Sequence, residues 1–194
     1  MGLFAGAMKA VLVPLFTLQG WRVEGERPVH RKCVLVAAPH TSNWDFVCFI
    51  GAADRLGLKL SVLAKASLFR WPIAGAMRDL GVVPVDRSKS NNLVAAMADE
   101  FARRDDFILT IAPEGTRSRA PRWKTGFYGI AMGAGVPIIA VLCDYQRKVI
   151  RVGPTVFPTG RYEEDMAPFI AFYETAVGRF PEAASPILGD DAPV

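Results

Sequence analysis

The pattern of apolar and polar positions divides most of the chain into strand-length and helix-length pieces. Short apolar runs occupy residues 33–38, 60–64, 82–85, 107–112 and 137–142, with a further strand expected at 148–152. Runs of this length, bounded by turn residues, read as buried strands. Helical stretches lie between them. Thr41, Ser42 and Asn43 offer N-cap side chains for a helix reaching about Leu56, and Gly57 supplies its stop. Ser90 or Asn91 can cap a second helix ending near Arg104; a third is expected from Gly126 to Ala134 and a fourth from Glu163 to Val177. Strands that alternate with helices predict an α/β fold, a sheet layered with helices on its faces. There is no internal repeat and no low-complexity linker, so the body reads as one domain.

The first eighteen residues break the pattern. Met1 to Leu18 carry one charge, Lys9, and one proline, Pro14. As a helix they would span ~27 Å at ~1.5 Å per residue, just short of the ~30 Å bilayer core. The charged start and small-residue cleavage site of a signal peptide are missing. The segment therefore predicts a helix that lies in or dips into one leaflet, with a true span and a plain core helix as the alternatives. This places residues 1–20 as an apolar membrane-associating segment and 21–194 as the folded body.

Composition sharpens this picture only in places. Of the 194 residues 51% are hydrophobic and the net charge is +4. The distribution says more than the total. No acid occurs between Gly115 and Cys143, while Arg117, Arg119, Arg122 and Lys124 crowd the start of that stretch. An apolar chain with a basic segment suits an anionic membrane surface or a phosphate ligand. Nucleic acid is not indicated, since no zinc-finger spacing or basic-aromatic module is present. The three cysteines, Cys33, Cys48 and Cys143, sit in apolar segments at spacings that fit no zinc site, and read as buried reduced thiols.

Two charged constellations follow apolar runs. His40-Thr41-Ser42-Asn43-Trp44-Asp45 follows the first, and Glu114-Gly115-Thr116-Arg117 follows the run at 107–112. In α/β sheets the strand-end loops collect functional residues. The chain has two histidines, His30 and His40, so the choice of an imidazole base is narrow. A carboxylate at Asp45 can fold back onto one ring nitrogen and leave the other as base. Histidine's reference pKa of ~6.5 keeps the neutral form dominant near pH 7. Arg117 presents a planar fork suited to phosphate oxygens, and Gly115 lets backbone approach closely. Glu114 could hold that arginine or bond a substrate hydroxyl. The bland readings are a packed histidine, a helix-dipole aspartate and a surface ion pair.

Two further segments complete a set: Lys65-Ala66-Ser67-Leu68-Phe69-Arg70-Trp71-Pro72-Ile73-Ala74-Gly75, and Gly81-Val82-Val83-Pro84-Val85-Asp86-Arg87. Taken in order, these blocks resemble the glycerolipid acyltransferase family typified by 1-acylglycerol-3-phosphate acyltransferase. Its H-x4-D box resembles His40 to Asp45, its glycine-to-arginine block Gly81 to Arg87, its E-G-T-R block Glu114 to Arg117, and its V-P-I-I block Val136 to Ile139. Its K-x-x-L-x-x-x-P-x-x-G stretch is matched from Lys65 to Gly75. The resemblance covers about residues 20 to 155. Each motif is weak by itself; the ordered set is specific.

The resemblance implies a mixed, largely parallel sheet flanked by helices. It also implies direct transfer of an acyl chain from acyl-CoA or acyl carrier protein, as co-substrate, to a lysophospholipid hydroxyl. By it His40 is the base and Asp45 its orienter. Arg87 and Arg117 are phosphate ligands with Lys65 beside them, and Glu114, Gly115 and Thr116 shape the acceptor site. Val136-Pro137 belongs to a packing and acyl-side block. No metal or cofactor is implied, and the expected place is the cytoplasmic face of a membrane, peripheral or monotopic. The chain departs from the family pattern at Pro39, where asparagine is usual, at Ala112, where an aromatic is usual, and at Ala140, where a second proline is usual.

Three rivals are weaker. A serine hydrolase lacks its G-x-S-x-G elbow, and Ser42 falls where an N-cap is needed. A nucleotide-binding protein lacks a Walker A loop and the dinucleotide glycine spacing. A silent lipid-binding protein on the same fold would have no use for the His40–Asp45 pair.

Overall fold

A computed structural model describes residues 3–65, 74–79, 81–85 and 90–188. Among these described residues seven strands form one sheet: β1 (Arg22–Glu24), β2 (Lys32–Ala38), β3 (Leu60–Lys65), β4 (Val82–Val85), β5 (Phe107–Ile111), β6 (Ile138–Asp144) and β7 (Val149–Val156). Their order is β1-β7-β6-β2-β5-β3-β4. Every neighbouring pair is parallel except β6 and β7, which are antiparallel. The expected α/β architecture, a mixed and largely parallel sheet flanked by helices, is present.

Among the described residues six α-helices accompany the sheet: α1 (Leu3–Leu18), α2 (Asp45–Arg55), α3 (Ala74–Asp79), α4 (Ser90–Arg103), α5 (Gly126–Ala134) and α6 (Tyr162–Tyr173). Side chains alternate across the strands, as the pleat requires. Val34 and Val36 of β2 join Leu109, Ile138 and Ala140 in a core under α4, α5 and α6 that includes Met97, Phe101, Phe127 and Phe169. Cys33 and Leu35 face the other way, with Ile108 and Ile139. The central strands are covered on both faces, which is why they read as unbroken apolar runs.

Several sequence expectations change. β1 was not foreseen, because Arg22-Val23-Glu24 is too short and too polar to register as a strand; it is defined by its parallel pairing to Val149, Ile150 and Arg151. α3 falls in a stretch to which no element was assigned. β7 extends past Gly153 and Pro154 to Val156, and α6 stops at Tyr173, four residues short of Val177. Val177 lies beyond the helix, and its carbonyl accepts the Tyr145 amide at 2.8 Å. None of Thr41, Ser42 and Asn43 caps α2. The cap position is Trp44, with no side-chain cap bond, because the Asp45 carboxylate and Ser42 hydroxyl are engaged within the preceding loop.

α1 is sixteen residues long, which gives ~24 Å of helix. Among the described residues no helix is long and apolar enough to cross a membrane. Part of α1 is docked on the body. Phe16 is 1% exposed and packs with Trp21, Val47, Cys48 and Ala52. A Cβ on Gly51 of α2 would lie 2.2 Å from the Phe16 ring, so glycine is what admits this close helix contact. Lys9 pairs with Asp54, and Arg55 donates to the Thr17 hydroxyl. The opposite side of α1 is exposed and apolar over Ala7, Ala10, Val11, Pro14 and Leu18.

Candidate active site

The sheet order places β6, β2 and β5 side by side, so their carboxyl ends open onto one region. His40 follows β2, Glu114 follows β5, and Tyr145 follows β6. This is the crevice at strand ends where α/β sheets bind ligands.

His40 Nδ1 lies 2.8 Å from Asp45 Oδ2. The same carboxylate oxygen accepts the Ser42 amide at 3.0 Å, and Oδ1 accepts the Tyr145 hydroxyl at 2.6 Å. Asp45 opens α2, so the helix N-terminus also favours its negative charge. Its side chain is 11% exposed against 30% for His40. A carboxylate held this way accepts a proton-bearing Nδ1, which leaves the lone pair of neutral imidazole on Nε2. That nitrogen can take a proton from a substrate hydroxyl.

Glu114 is 1% exposed. Its Oε1 accepts the His40 backbone amide at 2.9 Å, so it neither holds Arg117 nor reaches solvent to bond a substrate hydroxyl. It fixes the backbone of the histidine from beneath. Its other oxygen, Oε2, is buried without a hydrogen-bond partner. Burial raises the Glu114 pKa above the usual carboxylate range, opposed by the amides of His40 and of Glu114 itself. The sign follows directly. A carboxyl whose folded pKa lies above its unfolded one supports folding below the unfolded pKa and loses that support as pH rises through the folded pKa. Glu114→Gln is therefore expected to raise Tm relative to the parent by more at pH 8 than at pH 4. Equal differences at the two pH values, measured by thermal melts, would remove this account of Glu114.

Gly115 has φ +66°, and a Cβ there would sit 2.8 Å from Lys124 Nζ. The Lys124 ammonium thus lies over the E-G-T-R loop, and its amide donates to the Pro113 carbonyl at 2.9 Å. Thr116 uses its hydroxyl to accept the Ser118 amide. Arg117 is exposed and donates through Nη1 to the Asn43 side-chain oxygen, which ties this loop to the His40–Asp45 loop. Arg87 lies outside the described residues, as do the side chain of Lys65 and the stretch 66–73. Of the sequence candidates, the structure brings together His40, Asp45, Glu114, Gly115, Thr116 and Arg117.

Residues after α6 close the rim. The Phe180 amide donates to the Thr41 hydroxyl at 3.2 Å, and Arg179 lies over the Trp44 ring at 5.2 Å. Ser185 and Pro186 accept bonds from Trp123 at the base of the basic loop. Trp44 and Phe180 are exposed aromatics on this rim. Among the described residues no cluster of histidine, cysteine, aspartate or glutamate could hold a metal ion. The three cysteines are free thiols, and burial pushes the Cys33 pKa up to about 12.

The acyltransferase family model matches residues 20–144 and so spans every residue of this arrangement except Tyr145 and the closing segment. The chain belongs to the acyltransferase family. Proteins named 1-acyl-sn-glycerol-3-phosphate acyltransferase resemble this family member along much of its length. That of Salmonella typhimurium is 34% identical over 146 residues, covering 70% of this chain and 57% of the relative. That of Escherichia coli is 32% identical over 146 residues, with the same coverage. The chain thus spans somewhat more than half the length of these relatives. In fold, it is similar to the crystal structure of the 1-acyl-sn-glycerophosphate acyltransferase of Thermotoga maritima, with TM-score 0.58 and 22% identity, covering 87% of this chain and 75% of the other.

Sequence reading missed three parts of the site: the Asn43–Arg117 bond, the Glu114–His40 amide bond and Tyr145. Only Tyr145 carried a usable signal. It stands just past the apolar run at 137–142, where the strand-end rule that picked out His40 and Glu114 applies equally.

Proposed function

We propose that this chain transfers a fatty acyl group from acyl-CoA or acyl carrier protein to the hydroxyl of a lysophospholipid, with 1-acylglycerol-3-phosphate as acceptor. The observation that carries the reading is the His40–Asp45 pair at 2.8 Å, set beside the exposed Arg117 in a chain of this family. His40 Nε2 accepts the hydroxyl proton as the oxygen attacks the thioester carbonyl carbon. The C–S bond then breaks, and the proton passes from His40 to the departing thiolate. A thioester is already activated, so neither a covalent enzyme intermediate nor a bound cofactor is required. Arg117 supplies a planar donor set for the acceptor phosphate, with Lys65 and Arg87 as further cations and Gly115 and Thr116 shaping the loop. The acceptor names of the relatives and the exposed aromatic rim support a lipid substrate.

The deciding experiment offers purified protein a panel of lysolipids with acyl-CoA and acyl carrier protein donors and identifies products by mass spectrometry. Diacylated phosphatidic acid as the main product supports the reading. Acylation of only a non-phosphate lipid would overturn the acceptor assignment, and no acylation at all would favour a silent lipid binder.

We further propose that the protein sits at the cytoplasmic face of the membrane without spanning it, held by the exposed side of α1. Val11 and Leu18 are 65% and 85% exposed on that side. Replacing both with aspartate is expected to weaken vesicle binding about tenfold or more, since two apolar side chains leave the lipid boundary. Because neither side chain is buried, Tm should hold. Unchanged flotation with vesicles would place the contact elsewhere.

A further inference from the structure

We propose that Tyr145 is a positioning residue of the catalytic pair: its hydroxyl holds the Asp45 carboxylate in the orientation that directs His40 Nε2 at the acceptor hydroxyl. The proposal rests on the reading of His40 as base. Tyr145 belongs to none of the motifs that define the family resemblance and lies one residue past the matched region.

The geometry is that of a relay with no slack. Tyr145 Oη donates to Asp45 Oδ1 at 2.6 Å, while Oδ2 of the same carboxylate meets His40 Nδ1 at 2.8 Å and the Ser42 amide at 3.0 Å. A carboxylate has two oxygens and rotates about one bond. With both oxygens engaged on opposite sides, its plane is set, and so is the tilt of the imidazole it binds. Tyr145 is itself fixed at both ends. Its amide donates to the Val177 carbonyl at 2.8 Å, and Trp21 packs edge-on against its ring at a centroid distance of 4.8 Å. The turn that carries it is pinned by Asp144, which accepts the amides of Gln146 and Arg147 and pairs with the Arg147 guanidinium at 2.7 Å. Burial and the Asp45 carboxylate hold the phenol pKa well above its ordinary value, so the hydroxyl keeps the proton it donates.

A consequence for turnover separates this role from plain packing. The phenol fixes the plane of the Asp45 carboxylate through Oδ1. Without that bond, the carboxylate can turn about its bond to Cβ, and the direction of His40 Nε2 is no longer set. The other groups around the pair are Cys48 of α2, Glu114 after β5 and Cys143 of β6. Arg117 reaches the same loop through Asn43. All of these stay in place in a variant that removes the Tyr145 oxygen.

The test compares the full-length parent, Tyr145→Phe and a protein with 3,5-difluorotyrosine at position 145, a shape-conserving change that strengthens the donor. Tyr145→Phe is expected to lower kcat about tenfold with both KM values within about twofold. The difluorotyrosine protein keeps the donor and should keep kcat within about twofold of the parent. If His40→Ala abolishes turnover while both Tyr145 proteins keep the parent's kcat, the positioning role is refuted. The same holds if both Tyr145 proteins lose kcat equally, because the difluorotyrosine protein keeps the hydroxyl. If His40→Ala keeps near-parent turnover, the base assignment itself has failed, and with it the proposal.

Discussion

His40→Ala is expected to lower kcat by on the order of 10²–10⁴, the range general-base catalysis supplies. The fold should remain. The imidazole is 30% exposed and reaches its neighbours through Nδ1 and the backbone amide. Alanine keeps the amide that Glu114 accepts, so the floor of the site survives. The loss should fall on kcat, because removing a proton acceptor acts on the transition state and leaves ground-state binding of acceptor and donor nearly untouched. Steady-state kinetics with 1-acylglycerol-3-phosphate and an acyl-CoA would show this directly. Near-normal turnover would remove His40 as the base, and an unfolded variant would show that its ring matters to packing. The measurement should therefore be paired with a thermal melt.

Arg117→Ala is expected to act in the other direction, raising the KM for a phosphorylated acceptor about ten- to a hundredfold while kcat changes little. A charge-assisted hydrogen bond is worth about 1.5–3 kcal/mol, and about 1.4 kcal/mol corresponds to tenfold in binding. The guanidinium is exposed, and one of its Nη atoms donates to Asn43. That bond fixes its approach to the histidine loop, so phosphate recognition and proton transfer share one frame. Part of the penalty would come from loosening this loop. Asn43→Ala separates the two effects: it keeps the cation and removes only the tether, and should raise KM less than Arg117→Ala. Unchanged kinetics in Arg117→Ala with the phosphorylated acceptor would refute the phosphate role.

The two histidines show how far a single sequence can be read. His30 and His40 are both near apolar runs. His40 was preferred because a carboxylate followed in the first turn of the next helix, and the structure places that carboxylate on Nδ1. His30 sits edge-on to Phe157 at 5.6 Å. Glu114 was legible as part of a charged strand-end loop, but its partner was not. Sequence suggested the nearby Arg117, three positions away, whereas the structure pairs it with an amide 74 positions distant. Ser42 was misread for a local reason. An N-cap and a loop hydroxyl look the same in sequence, and only the turn of Asp45 toward His40 decided between them.

The sequence by itself determined the elements that local chemistry controls. Apolar runs bounded by turn residues located five strands and a sixth approximately. Gly57 marked a helix end, with positive φ, and the charged loops after 33–38 and 107–112 marked the site. Only the tertiary structure decided which strands stand together. The order β6-β2-β5 brings Tyr145 to Asp45 across 100 residues and Glu114 to His40 across 74. The physical reason is that strand order is set by non-local pairing and the burial of whole faces. The part of α1 that buries Phe16 was likewise hidden, because its partner surface, Gly51 and Trp21, exists only once α2 and the sheet have formed.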